Sequence, residues 1–146
     1  MPLIHFFEEQ VRFKLSKPRK TTAWILTVIS LEKNTPKGLN FIFCNDRYLN
    51  KINIEYLRHH TLTDIITFDY SEESGIQGDI YISIQRVKEN ALKFQSAFDE
   101  ELHRVIIHGV LHLLGYTDKT IRAKAIMRKK EDAYLSLRTV PRETRK

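Results

Sequence analysis

Two histidines stand four residues apart in the segment His108-Gly-Val-Leu-His112. In an α-helix this spacing places both imidazoles on one face, about one turn apart, so a single metal ion can contact both. Gly115 tolerates the left-handed backbone that ends helices, and roughly 10 Å of extended chain then allows Asp118 to fold back toward the histidines. Two histidines and one carboxylate with an open fourth position form the pattern of a catalytic zinc site. We therefore predict one Zn²⁺ ion per chain, held by His108, His112 and Asp118.

A histidine pair also has explanations that need no catalytic zinc. A lone buried histidine is usually a hydrogen-bonded core residue, but two on one apolar helix would leave several ring nitrogens to satisfy. Gly109 occupies the position at which an H-E-x-x-H metalloprotease carries its general base, so a metallopeptidase-like hydrolase is the less favoured alternative. No side chain is assigned as catalytic, and the chemistry is expected from a water bound to the metal.

The residues around the two histidines are apolar on nearly every side. We therefore predict a buried helix from about Glu100 to Leu114, with its histidines facing a cleft. The apolar neighbours are Ile106, Ile107, Val110, Leu111, Leu113 and Leu114.

Three ordered motifs resemble those of a known family. The string HGVLHLLGY at residues 108–116 is similar to the signature H-G-x-L-H-L-x-G-Y-D-H of the YbeY family, bacterial metal-dependent endoribonucleases of rRNA maturation. Residues 63–68 (TDIITF) resemble the family's T-D-V-L-S-F, and residues 78–83 (GDIYIS) resemble its G-D-I-x-I-S. With Asn53, Ala91, Glu101 and Leu102 also agreeing, the resemblance covers roughly residues 40 to 118.

The chain departs from the family pattern at two positions. Thr117-Asp118 stands where the family has D-H, so a carboxylate replaces the third histidine. Leu57 occupies the place of a basic residue six positions before the T-D pair, and Arg58 is its neighbour.

The resemblance implies both a fold and a function. The fold would be a mixed sheet with the metal at one end of a central helix. The function would be zinc-dependent cleavage of single-stranded RNA in rRNA maturation and ribosome quality control, with RNA and the ribosome or one of its subunits as partners. An alternative from another class is a non-catalytic ribosome-assembly factor, in which zinc only fastens the 115–118 turn to the helix.

Positive charge is concentrated in the C-terminal segment. Residues 119–146 contain ten Lys or Arg against three acids, although the whole chain carries a net charge of only +6. Residues 12–20 form a second basic cluster without an acid. Basic surfaces attract polyanions such as RNA, although a solvated helix face with a disordered tail would look the same. Candidate RNA-contacting residues are Arg58, Lys119, Arg128, Lys129 and Lys130, of which Arg58 and Lys119 are candidates to neutralise the reacting phosphate.

Length and composition indicate one globular domain spanning residues 1–146. A chain of 146 residues that is 42% hydrophobic and 29% charged can bury about two-thirds of its unfolded surface. Cys44 is the only cysteine, which excludes an intrachain disulfide and is typical of a reducing compartment. Its apolar surroundings predict a buried, inert thiol. No apolar run approaches the roughly 18 residues of a membrane span. We expect a cytoplasmic monomer with no membrane partner.

Hydrophobic periodicity predicts an α+β fold, with about four strands in a mixed sheet and helices packed against it. Predicted strands are 3–8, 39–45, 64–70 and 78–84, and predicted helices are 21–33, 46–57, 85–94, 100–114 and 121–137. Trp24 shares a stripe with aliphatic residues and is predicted to be core. Asp46 is the predicted N-cap of the second helix, and Ser83 is predicted to start the third.

Periodicity and turn chemistry also predict which way several side chains point. Leu49, Ile52 and Tyr56 should face inward from the second helix. The last helix should have a basic outer face and a frayed tail from about residue 138, and its inward residues should be Ile121, Ala125, Met127, Ala133 and Leu137. Asp64 and Asp79 either bond backbone groups in turns or orient a ligand histidine, and Thr63 is a turn or cleft residue.

Overall fold

Residues 3–57 and 63–139 are described in the computed structural model of the chain. The predictions for Arg58 and for the tail beyond residue 139 lie outside these residues. The elements are β1 Ile4–Glu8, α1 Pro18–Leu31, β2 Pro36–Cys44, α2 Asp46–Ile52, β3 Ile65–Asp69, β4 Ile76–Ser83, α3 Ile84–Lys93, α4 Phe98–Leu113 and α5 Ile121–Thr139. A π-helical turn, Asn53–Leu57, continues α2.

The four strands form one mixed sheet in the order β1-β2-β4-β3. Strand β2 pairs in parallel with β1 and β4, and β3 pairs with β4 in the antiparallel direction. The end of β2, Phe41–Cys44, is a continuous buried apolar run, as expected for a parallel strand with neighbours on both sides. The predicted α+β fold with a four-stranded mixed sheet is confirmed.

Helices cover the two sheet faces unequally. On one face, α1 and α4 pack on the sheet, and α3 and α5 pack against α4, forming the main apolar core. On the other face, α2 covers a smaller cluster that includes Leu49, Ile52, Cys44 and Ile66. No helix within the described residues is long and apolar enough to cross a membrane.

Several predicted core positions are confirmed. Trp24 is buried, and its indole N–H donates to the backbone oxygen of Tyr134 over 2.8 Å. Cys44 is also buried, and burial, aided by the charges of Asp46 and Glu9, raises the pKa of its thiol to about 12. A thiol with so high a pKa is inert, as predicted.

The predictions for the starts of α1 and α2 are partly wrong. Helix α1 begins at Pro18 rather than Thr21, because proline is tolerated in the first helical turn. The N-cap of α2 is Asn45, whose side chain accepts from the backbone N–H of Tyr48, and Asp46 lies in the first turn. Ser83 does cap α3, as predicted.

The prediction for Tyr56 is also wrong. Its side chain is 67% exposed, whereas Leu49 and Ile52 are buried as expected. The α-helical spacing ends at Ile52, because the following turn is π-helical and rotates the next residues away from the predicted stripe.

The predicted inward stripe of α5 is wrong except at Met127. Ile121 is 89% exposed, and Ala125, Ala133 and Leu137 also face solvent. The inward residues are Met127, Glu131, Tyr134 and Leu135, which follow the i, i+4, i+7, i+8 spacing of one helix face. Because Glu131 is acidic, the inward face of α5 is not recognised when only apolar residues are considered.

Helix α4 approaches β3 and β4 closely at Gly109. A Cβ atom on Gly109 would lie 2.9 Å from Cγ2 of Ile80, which is too short for a real contact, and 3.0 Å from Cδ1 of Ile65, which is tighter than most. Glycine is therefore required for the helix to lie this close to the sheet. The same contact leaves no space for the glutamate that a metalloprotease helix carries here.

We predict that Gly109→Ala lowers the free energy of unfolding by about 1–3 kcal/mol, because the added methyl must displace the buried Ile80. This loss should occur although alanine is the better helix former by about 1 kcal/mol. Denaturant unfolding measures the change, with Gly38→Ala as the control, since a Cβ there meets nothing within 4 Å. A Gly109→Ala protein more stable than the parent would contradict the close contact.

Candidate metal centre

The structure brings the three predicted metal ligands together. His108 and His112 lie one turn apart on α4, with their ring centroids 4.7 Å apart. Oδ2 of Asp118 lies 3.4 Å from Nε2 of His108 and 3.7 Å from Nε2 of His112. Potential ligand atoms of the three residues all lie within 4.8 Å of one another. The arrangement offers two imidazole nitrogens and one carboxylate oxygen to a common point.

A Schellman motif at the end of α4 turns the chain back toward the histidines. Gly115 adopts φ +106°, and its N–H donates to the backbone oxygen of His112 over 3.0 Å. The N–H of Tyr116 donates to the oxygen of Leu111, also over 3.0 Å. These two bonds satisfy carbonyls that the helix end would leave unpaired. The left-handed glycine therefore sets the direction from which Asp118 returns.

The returning segment is anchored through Tyr116. Its hydroxyl donates to Glu32 over 2.8 Å, and the same carboxylate accepts from Lys130 and Tyr134. Burial alone would raise the pKa of Glu32, but these three hydrogen bonds outweigh it and lower that pKa. The ionised carboxylate thus joins the end of α1 to α5 and to the segment that carries Asp118.

Glu131 of α5 is a site residue that the sequence does not reveal. Its Oε2 lies 2.6 Å from Nδ1 of His108, and its side chain is only 6% exposed. Arg104 donates to Glu131 over 2.9 Å and to Asp132 over 2.7 Å. A carboxylate bonded to one ring nitrogen orients a ligand histidine and leaves the other nitrogen for a metal. Glu131 therefore directs Nε2 of His108 toward Asp118.

The pKa values of the two histidines are shifted in opposite directions. Burial disfavours the charged form of His108, but the hydrogen bond and negative charge of Glu131 outweigh it and raise the pKa of this imidazole. Burial and the neighbouring His108 lower the pKa of His112. A metal requires neutral imidazoles, so protons compete with a metal more strongly at His108 than at His112.

A cleft of about 700 Å³ opens beside the metal ligands. Its lining residues include the exposed cations Lys124 and Arg128 together with His108 and Asp118. Lys124 is absent from the predicted RNA-contacting residues, because nothing in the sequence distinguishes the lysines of α5 that face the cleft from those that do not.

The basic residues predicted to contact RNA lie on different surfaces of the protein. Arg128 lines the cleft, whereas Lys119 and Lys129 are exposed outside its lining. Lys130 forms an ion pair with Glu32 over 2.9 Å on another side of α5. Arg58 lies outside the described residues.

Asp64 and Asp79 have different surroundings. Asp64 lines the cleft, where it accepts a long hydrogen bond of 3.4 Å from Asn90, and burial raises its pKa. Asp79 accepts from Asn40 of the neighbouring strand over 3.0 Å. Neither makes a hydrogen bond to a histidine among the described residues. The hydroxyl of Thr63 donates to the backbone oxygen of Ile65, as a turn residue does.

Comparisons with known proteins identify the family. The family model described as Endoribonuclease YbeY matches residues 4–138. A protein of Amoebophilus asiaticus named Endoribonuclease YbeY is 52% identical over 133 residues, which cover 90% of each chain. A protein of Cytophaga hutchinsonii with the same name is 51% identical over 136 residues, covering 92% of this chain and 95% of the other. This chain belongs to the YbeY endoribonuclease family, and the resemblance seen in its motifs is confirmed.

A solved structure shares the fold. The solution structure of TM1509 from Thermotoga maritima aligns with a TM-score of 0.67 and 25% sequence identity. The alignment covers 93% of this chain and 89% of that one. The sheet and helices that position the three clustered side chains therefore recur in an experimentally determined protein.

We predict that Glu131→Ala weakens zinc binding by about 10- to 100-fold, since His108 loses the partner that orients it. Calorimetric titration of zinc into the purified protein measures the change. Asp132→Ala is the matched control, because Asp132 also bonds Arg104 but does not contact His108. Equal zinc affinities for the two variants would show that Glu131 does not orient the site.

Proposed function

We propose that this protein is a zinc-dependent endoribonuclease that cleaves single-stranded RNA during rRNA maturation and ribosome quality control. The observation that carries the proposal is the cluster of His108, His112 and Asp118 in a member of the YbeY endoribonuclease family. RNA as the substrate follows from the names of the relatives. Association with the ribosome and a cytoplasmic, monomeric state are part of the same proposal.

The donor set suits a divalent ion such as Zn²⁺. Imidazole nitrogen and carboxylate oxygen are both common zinc ligands, and three protein ligands leave one position for water or substrate. The side chains of His112 and Asp118 are 31% and 41% exposed, so this position is open to solvent. A closed, four-ligand site would instead be expected of a structural zinc, and the exposure therefore favours catalysis over a purely assembly role.

The chain's own residues would orient and neutralise the substrate. An ion held by the triad would supply a Lewis acid and lower the pKa of a water ligand. Glu131 keeps the Nδ1 proton of His108 and so presents Nε2 to the ion. Lys124 and Arg128 lie in the cleft, where they can neutralise RNA phosphates.

The metallopeptidase alternative has no support in the geometry. The helical position that would hold its general base is Gly109, which packs against Ile80 and Ile65 of the sheet and is not among the residues that line the cleft. A hydrolase that relies on this site must therefore activate its nucleophile without a glutamate from α4 at that position.

We expect His112→Ala and Asp118→Ala to lose zinc affinity by a large factor and to lose cleavage of a single-stranded RNA, because each change removes a ligand. A chelator should abolish cleavage by the parent, and added zinc should restore it. His5→Ala is the control, since His5 is exposed on β1 outside the cleft lining. Asp118→His should retain zinc binding, because imidazole is also a zinc ligand.

Two results would contradict this set of ligands. If Asp118→Ala binds zinc as tightly as the parent, the third ligand is another residue. If cleavage persists in His112→Ala under chelation, the activity belongs to a different site or to a contaminant.

We also expect Lys124→Gln and Arg128→Gln to weaken RNA binding and to flatten its salt dependence. For single strands, removing one cation that pairs with a phosphate should reduce the slope of log affinity against log salt by about 0.7. Fluorescence anisotropy at several salt concentrations measures the slope, and Lys129→Gln is the control from outside the cleft lining. A slope equal to the parent's in both cleft variants would place the RNA elsewhere.

A further inference from the structure

The cleft continues along α4 away from the metal ligands. Glu101, Val105 and His108 lie at i, i+4 and i+7 and share one face of the helix, and all three line the cleft. Seven residues of helix separate Glu101 from His108, which corresponds to about 10 Å along the axis. This distance is comparable with the length of one nucleotide. The cleft therefore has space for a nucleotide next to one held at the triad.

Glu101 is a buried acid without a side-chain partner among the described residues. It lines the cleft and is only 8% exposed, and none of those side chains donates a hydrogen bond to it or forms an ion pair with it. Burial first, and then the negative charge of Asp64, raises the pKa of this carboxyl, although the charges of Arg104 and Arg128 act in the opposite direction. Its oxygens are not among the fully buried side-chain atoms that lack a hydrogen-bond partner, so they are accessible from the cleft and can accept from a ligand there. The structure thus presents an unused acceptor to whatever occupies the cleft.

The remaining walls suit a flat heterocycle. Ile65, Val105 and Met127 supply apolar surface, and Phe94 is 60% exposed. Polar groups come from Asp64 and Asn90 on the same cleft. Ligand sites commonly combine apolar walls with a few polar groups that fix orientation. Proteins that bind single-stranded RNA read splayed bases in this way, by stacking and by hydrogen bonds to the base edges.

We propose that this part of the cleft is a nucleobase subsite, in which the carboxylate of Glu101 accepts hydrogen bonds from the edge of a guanine. The inference rests on the proposed RNA substrate and adds a base preference to it. The guanine edge presents a ring N–H beside an exocyclic amino group, which matches the two oxygens of one carboxylate. Uracil presents one N–H between two carbonyl oxygens, and those oxygens would repel the carboxylate. The subsite should therefore favour guanine and disfavour uracil.

The test uses metal-free full-length protein, so binding is measured independently of cleavage. Single-stranded oligonucleotides of otherwise identical sequence would carry guanosine, inosine or uridine at one position, and anisotropy would give their affinities. Inosine keeps the ring N–H but lacks the amino group. The parent should bind the guanosine oligonucleotide about tenfold more tightly than the inosine one, as expected when one hydrogen bond to a charged group is missing. The uridine oligonucleotide should bind at least as weakly as the inosine one, because its carbonyl oxygens face the carboxylate. Glu101→Gln should abolish most of this difference, and Glu100→Gln, an exposed neighbour in the same turn, should retain it.

Two outcomes would overturn the subsite. One is a parent protein that binds the three oligonucleotides equally, a result that does not depend on the folding of any variant. The other is a Glu101→Gln protein with the parent's discrimination. Mapping the cut positions with zinc-loaded protein separates this inference from the proposed function. Metal-dependent cleavage without a base preference would refute the subsite alone, whereas the absence of metal-dependent cleavage would refute the nuclease proposal.

Discussion

Close packing of α4 on the sheet determines where the ligand side chains lie. Gly109 permits the approach, and less than two turns later Gly115, with its left-handed backbone, reverses the chain. Around these glycines the helix is largely buried except for the face that carries His108 and His112. A helix held this tightly has little freedom to rotate, because protein cores resist small displacements. The histidine positions are therefore fixed by core packing before any metal binds.

Two polar networks connect this helix to the rest of the molecule. Glu131 bonds His108 and is itself held by Arg104, while Glu32 accepts from Tyr116, Lys130 and Tyr134. Each carboxylate is compensated by several donors, as an ionised group in a protein interior requires. Helix α5 contributes to both networks. Its role in the site is thus to hold ligand-bearing segments in place, in addition to presenting cations to RNA.

The parts of the site that depend on local geometry are predictable from the sequence. The histidine spacing, the glycine-terminated helix and the return of Asp118 are all set within eleven residues. Helical periodicity predicts the first, and the conformational freedom of Gly115 with the reach of three residues predicts the other two. Glu131 could not be found in this way, because it contacts His108 across 23 residues of sequence and lies within a run of charged residues. Met127 is buried and lies four positions before Glu131, so it indicates that Glu131 also faces inward.

The error in the predicted inward face of α5 has a related cause. A search for apolar residues excludes Glu131 from the inward face of α5 and favours Ile121, which is exposed.

A metal-dependent site of this geometry requires that His108, His112 and Asp118 hold one metal ion, with Nε2 of His108 as a ligand atom. Anomalous diffraction at the zinc absorption edge, from crystals grown with zinc, locates the ion without reference to activity. We expect one strong peak at about 2.0–2.2 Å from Nε2 of each histidine and from a carboxylate oxygen of Asp118. Nδ1 of His108 should remain bonded to Glu131. A peak at another group of residues, or Asp118 directed away from the peak, would contradict the site.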